Sequence, residues 1–228
     1  MLAAPAPPTT LTPPENIHAV AVVGSREWGE AVDRQGNPRP EAIVEHELAV
    51  SAKVVGRLVE RWVLGEVEPM RRRIPSAQAA EPGPGLLIVS GAARGADTHA
   101  ENLARMFGEG LRRRSRSEFG GFWSDVAEVL GEAMAVGGML AQGLYLEVYP
   151  ADWDGLGKAA GPARNEVMSQ RVHEVIALYA FGQRVMPGFG RGGTNDMVRR
   201  CQLKGLGVHA YDGTRRAWLT LGIDGARG

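Results

Sequence analysis

A chain of 228 residues, 44% hydrophobic and 23% charged, has the balance of a globular protein long enough to bury a core. Its 26 basic and 26 acidic residues cancel, which leaves no overall field to draw nucleic acid or an acidic membrane, so neither is expected as a partner. The single cysteine, Cys201, excludes an internal disulfide framework and suits a reducing cytoplasm, the expected location.

The opening "MLAAPAPPTTLTPPEN", residues 1–16, lacks the basic start and apolar centre of a signal peptide, and its prolines predict an extended flexible tail. No apolar run is long enough to span a bilayer. Residues 17–228 are expected to form one domain. Five apolar runs read as strands: "AVAVV" (19–23), "LLIVS" (86–90), "LYLEVYP" (144–150), "VIALYA" (175–180) and "GVHAY" (207–211). Most are continuously apolar, as strands buried on both faces are. Helical patterns separate them at about 41–64, 96–108, 124–141, 160–171 and 194–204. This alternation predicts a mainly parallel sheet, and right-handed crossovers make it a Rossmann-like three-layer α/β/α sandwich.

Two stretches stand outside that plan. Residues 66–85 carry prolines and arginines and read as a surface loop insert. Residues 109–143 read as a helical insert: "RRRSR" forms a solvated charged face, and Phe122, Val126, Val129, Leu130 and Met134 follow at near-helical spacing. This apolar face predicts a cover over the site or a contact in a homo-oligomer.

Four loops at the carboxyl ends of the predicted strands carry the chemistry, because ligands of parallel sheets bind there. The first strand ends in Gly24, Ser25 and Arg26, which offer close backbone approach, a hydroxyl and a guanidinium. In "IVSGAARGADTHAENLA" (88–104), a turn of Gly91, Ala92, Arg94 and Gly95 leads into a helix whose unpaired amides and dipole favour an anion. Asp97 there is suited to capping the helix or to accepting from ribose hydroxyls, and His99 reads as structural. The turn lacks the Gly-Lys-Ser/Thr ending of a Walker loop and does not match G-x-G-x-x-G. In "YPADWDGLGKAAGPARNEVM" (149–168), Trp153 can stack on a base or anchor the loop, Lys158 can contact phosphate, and Arg164 and Asn165 are placed to face a phosphate or ribose. In "FGRGGTNDMV" (189–198), Gly190, Gly192 and Gly193 form a loop, Thr194 is placed to cap the next helix, and Asp196 lies in its first turn. No metal site and no required cofactor are expected; the expected partner is a small nucleotide.

Taken in order, "VVGSREW", "IVSGAARGADTHAENLA", "YPADWDGLGKAAGPARNEVM" and "GRGGTNDMVRRC" resemble the SLOG superfamily of Rossmann-like nucleotide-binding proteins, and within it the YspA-like (YpsA-related) branch. The likeness spans about 18–211 apart from the two inserts. It implies a strand order of 3-2-1-4-5, a site between the first and fourth strands, and a nucleotide or nucleotide-derived ligand such as ADP-ribose or an NAD-related molecule, held by a sensor or carrier.

Two relatives imply other functions. The LOG-type phosphoribohydrolases carry an arginine, matched by Arg164, and a "PGGxGTxxE" loop. Here that loop reads "PGFGRGGTNDM", so Met197 stands where the glutamate belongs and Asp196 comes one position early. One helical position rotates a side chain by about 100 degrees, so Arg164 and Asp196 are only weak catalytic candidates for N-glycosidic cleavage. The DprA family is similar through "VAVVGSR", "IVSGAARGADTHA" and "ARNEVMS", and implies single-stranded DNA binding, which calls for a basic groove.

Overall fold

The computed structural model describes residues 17–63, 85–119, 137–141, 144–183, 185 and 192–220. In chain order these form β1 (Ile17–Gly24), α1 (Glu41–Val63), β2 (Gly85–Ser90), α2 (Ala96–Phe119), β3 (Gly137–Ala141), β4 (Leu144–Val148), α3 (Trp153–Leu156), a 3-10 turn (Gly157–Ala159), α4 (Ala160–Arg171), β5 (Glu174–Tyr179), α5 (Gly193–Leu203), β6 (Gly207–Asp212) and β7 (Ala217–Thr220). All five apolar runs are strands, and they lie side by side in the expected order, β4-β2-β1-β5-β6, with every pair parallel.

An antiparallel strand extends the sheet at each edge: β3 beside β4 and β7 beside β6. β3 corrects the helix predicted over 124–141, because 137–141 pairs with the open edge of β4 through a register irregularity between Met139 and Ala141. An unpaired strand edge competes with local helical periodicity, and its ladder wins here. Of the expected insert, residues 109–119 continue α2, while 120–136 and 142–143 lie outside the described residues. The predicted tail at 1–16 lies outside them too, as does the loop predicted at 66–85 apart from Gly85, which opens β2.

The period-2 alternation of the strands sorts the core into two faces. Val20 and Val22 of β1, Leu86 and Ile88 of β2, Leu144 and Leu146 of β4, and Leu178 of β5 point to one side. They pack there against Val54, Val55 and Leu58 of α1 and Ala96, Ala100 and Ala104 of α2. Ala19, Ala21 and Val23 face the other side with Leu87, Val89, Val175 and Ala177, against Met168 of α4 and Met197, Val198 and Cys201 of α5. This is the α/β/α sandwich. No helix among the described residues is long and apolar enough to cross a membrane.

Two ion pairs hold the helical layers to the strand ends. In the first layer the Glu47 carboxylate is buried and takes both arms of Arg39, at 2.8 and 2.9 Å. It also accepts from the amides of Gly29 (2.7 Å) and Phe181 (2.9 Å), which ties α1 to the loops after β1 and β5. Trp28, fully buried beside it, donates its indole N–H to Ser51 Oγ at 2.8 Å. In the second layer Arg171, at the end of α4, forks onto Glu147 of β4 at 2.5 and 2.8 Å, and Tyr149 Oη donates to the same carboxylate at 2.6 Å.

Removing one member of a buried ion pair leaves the other charge without compensation, at a cost of about 3–5 kcal/mol. Glu47→Ala is therefore expected to lose stability of that order in urea denaturation. A loss under about 1 kcal/mol, the range of an exposed pair, would show that water reaches Arg39.

Candidate functional site

The carboxyl ends of β1, β2, β4 and β5 meet at one edge, and the strand order reverses between β1 and β5. In such sheets that crevice is where ligands bind. Its floor is organised by Asp97, in the first turn of α2 and 3% exposed. Its Oδ1 accepts from the amide of Gly24 and its Oδ2 from the amide of Gly91, both at 3.2 Å. One carboxylate thus joins the ends of the two central strands. Rather than capping its own helix, as sequence allowed, the Asp97 carboxylate holds the amides at the ends of two strands.

Two glycines make this geometry possible. A Cβ on Gly91 would stand 2.8 Å from Asp97 Oδ2 and 2.6 Å from Arg164 Cζ. Gly95 has φ +80 and presses on the Ser25 carbonyl, so a side chain there would clash and strain the backbone together.

Arg164 comes from the second turn of α4 and reaches across the β2–α2 turn, where its Nη1 donates to the Gly91 carbonyl. Its Nε is buried and has no hydrogen-bond partner among the described residues, and its Nη2 lies 4.0 Å from where a Cβ on Gly193 would sit. The guanidinium therefore stands between the β2–α2 turn and the start of α5. Burial disfavours its charge; Asp97 and Asp196 favour it, and Arg26 opposes it. Beside it, the buried Asn165 donates through Nδ2 to the Gly193 carbonyl and to Asp196 Oδ2, both at 2.9 Å. Asp196 Oδ2 also accepts from Arg200 Nε at 2.9 Å. Arg200 in turn pairs with Glu166 of α4.

The start of α5 differs from expectation. The helix begins at Gly193, with Gly192 as N-cap at φ 130 and no side-chain cap, so Thr194 lies inside the first turn rather than capping it. Asn195 there accepts from Tyr179 Oη at 2.7 Å, at the end of β5. The absence of a side-chain cap leaves the positive end of the helix dipole turned toward Arg164. Met197, at the position of the hydrolases' glutamate, is fully buried in the core and supplies no carboxylate to this edge. Gly190 lies outside the described residues.

The remaining predicted residues divide between floor and rim. Ser25 is buried; its Oγ accepts from the amide of Ala180 at 3.1 Å and donates to Gln183 Oε1 at 2.5 Å, so it serves the floor. Ala92 (φ 55), Arg94, Arg26, Trp153 and Lys158 are exposed around the rim. Gln183, Tyr179 and Asn195 were not foreseen. Their only signal is position: at the end of β5, just past it, or just inside a helix that borders the crevice. His99 packs against Gly29 with Nε2 buried and, among the described residues, without a hydrogen-bond partner. Cys201 is buried in the α4–α5 core, and burial pushes its thiol up to about 12.

Burial raises the Asp97 acid from 3.8 to about 6, against the pull of Arg164 and the backbone amides. The folded chain therefore holds an extra proton between 3.8 and about 6. Stability from this group falls as pH rises through that window, and its cost is fully present above it. In a carboxyl titration followed by NMR, Asp97 is expected to titrate near 6. Arg164→Ala is expected to move it higher still. An unchanged or lower value in the variant would show that the two groups do not interact.

No family model and no curated protein matches the chain. Among solved structures, it is similar to DNA processing protein A (DprA) from Streptococcus pneumoniae, at 22% identity and a TM-score of 0.38, covering 86% of this chain. The chain spans about half (50%) of the length of that protein. The expectation from charge balance that nucleic acid is no partner is withdrawn, because whole-chain neutrality does not describe this edge. The physical reason lies in the rim: a net charge of zero describes the whole chain, whereas Arg26, Arg94 and Lys158 are all exposed at one edge with Arg164 among them.

Proposed function

We propose that the chain binds a nucleotide or nucleotide derivative at the carboxyl edge of its sheet, with the phosphate beside Arg164. The observation that carries this is the setting of that guanidinium. It is largely withdrawn from water, has an Nε with no hydrogen-bond partner among the described residues, and stands between a glycine turn and the start of α5, whose N-cap is Gly192. A helix start and a guanidinium that converge on one point recognise an anion with several oxygens. The motifs shared with the YspA-like branch of the SLOG superfamily support the same ligand class, ADP-ribose and NAD-related molecules included. The role is that of a sensor or carrier, because Asp196 is already committed to Asn165 and Arg200 and position 197 offers a thioether. A cytoplasmic setting belongs to this reading, in keeping with the lone buried thiol.

A second reading has its own support. Arg26, Arg94 and Lys158 are exposed along the same rim as the exposed indole of Trp153. Cations with an interleaved aromatic are the elements that hold a single nucleic-acid strand.

Calorimetric titration with nucleoside monophosphates, ADP-ribose and NAD tests the main reading. Arg164→Ala is expected to weaken binding by roughly 30-fold, about 2 kcal/mol, with its circular dichroism unchanged. Equal affinity in the variant would remove Arg164 from the site. Titration with a single-stranded oligonucleotide at several salt concentrations tests the second reading, which requires affinity that falls steeply with salt.

A further inference from the structure

Trp153 opens the short helix α3 at the rim and is 51% exposed. An indole this open contributes little to the core, and the loop around it is held by other means: Asp152 caps α3 by accepting from the Gly155 amide at 2.8 Å. The far edge of the ring faces Gly161, where a Cβ would stand 3.5 Å from Cη2. Over the face of the ring lies the Arg26 guanidinium, 5.9 Å from the centroid. Arg26 is itself exposed, and it is near enough to Arg164 to disfavour the charge there. Two like charges thus stand close at the rim, and one of them rests on an aromatic face.

We propose that Arg26 is a placeholder on Trp153: the base of a nucleoside monophosphate takes over the indole face, and the displaced guanidinium swings to the phosphate beside Arg164. This rests on the nucleotide-binding reading above. The exchange is favourable at both ends. A base stacked on an aromatic ring is held more strongly than an exposed cation over the same ring. A phosphate between two arginines turns their mutual repulsion into two charge-assisted contacts. Arg26 can make the move because its chain is at the surface, whereas Arg164 is held on the Gly91 carbonyl. Base and phosphate therefore have fixed ends in the crevice: the base at α3, the phosphate at α5.

The experiment compares AMP, ribose 5-phosphate and adenosine on the full chain, by calorimetry and by quenching of tryptophan fluorescence. Trp153→Ala is expected to weaken AMP about 10-fold, a typical loss for one stacked base, and to leave ribose 5-phosphate unchanged; Trp153→Phe is expected to retain most of the AMP affinity. Arg26→Ala is expected to act in opposite directions, weakening AMP and ribose 5-phosphate while strengthening adenosine, because the indole face is then free. The inference is overturned if Trp153→Ala spares AMP, if it weakens AMP and ribose 5-phosphate alike, or if Arg26→Ala weakens adenosine. Should ribose 5-phosphate bind through Arg164 while Trp153→Ala spares AMP, nucleotide binding stands and the placeholder falls. Should neither phosphate compound bind the unaltered chain, both fall. Trp153-dependent binding of a single-stranded oligonucleotide without binding of AMP makes a strand the occupant and also overturns the proposal.

Discussion

The edge of this sheet is organised by one carboxylate that water does not reach. Asp97 grips the amides of Gly24 and Gly91 and so fixes the spacing of the two central strand ends. Everything at the crevice is measured from that grip. Gly91 is a glycine because the carboxylate and Arg164 both lie within reach of its missing side chain. Arg164 is drawn across the turn because a partly charged acid lies under it. The acid is held between two protonation states: burial asks it to be neutral, and the guanidinium and the amides ask it to be charged. A group balanced in this way registers any new charge placed on Arg164.

Around that centre the polar groups satisfy one another before any ligand arrives. Ser25 is spent on Ala180 and Gln183, Asn165 on Gly193 and Asp196, and Asn195 on Tyr179. A floor whose polar groups already satisfy one another is preorganised. Adaptable chemistry is left to the rim, where Arg26, Arg94, Lys158 and Trp153 meet solvent.

The interior of the fold could be read from the chain because burial on both faces writes itself as continuous apolar runs, and all five such runs are strands. The edge strands could not. β3 is Gly137–Ala141, a stretch equally compatible with a helix, and only the open side of β4 decides it. β7 follows "DGTRR", a turn signal whose Asp212 accepts from Thr214 and Arg215, but one strand of four residues gives periodicity little to work with. In the site, residues on motifs were found and their duties were not. Ser25 and Asp97 look like ligand contacts in a linear sequence because a hydroxyl and a carboxylate beside glycines suit a ligand as well as they suit a neighbouring backbone. Which of the two they meet depends on how the ends of β1, β2 and β5 are brought together. Net charge is blind to the crevice for a related reason: it averages over surface that the crevice never sees.

The alternation that sends Val20 and Val22 to one face and Ala19, Ala21 and Val23 to the other also divides labour between the helical layers. The α1–α2 side carries the Glu47–Arg39 pair and Asp97, which hold the strand ends in place. The α4–α5 side carries Arg164, Asn165 and Asp196, with Trp153 just ahead of α4. The two layers thus meet at the crevice from opposite sides of the sheet, the first through Asp97 and the second through Arg164. Substitutions on the α4–α5 side can thus alter the crevice while the Glu47–Arg39 pair and the Asp97 grip go on holding the strand ends, a separation that lets one architecture carry different sites.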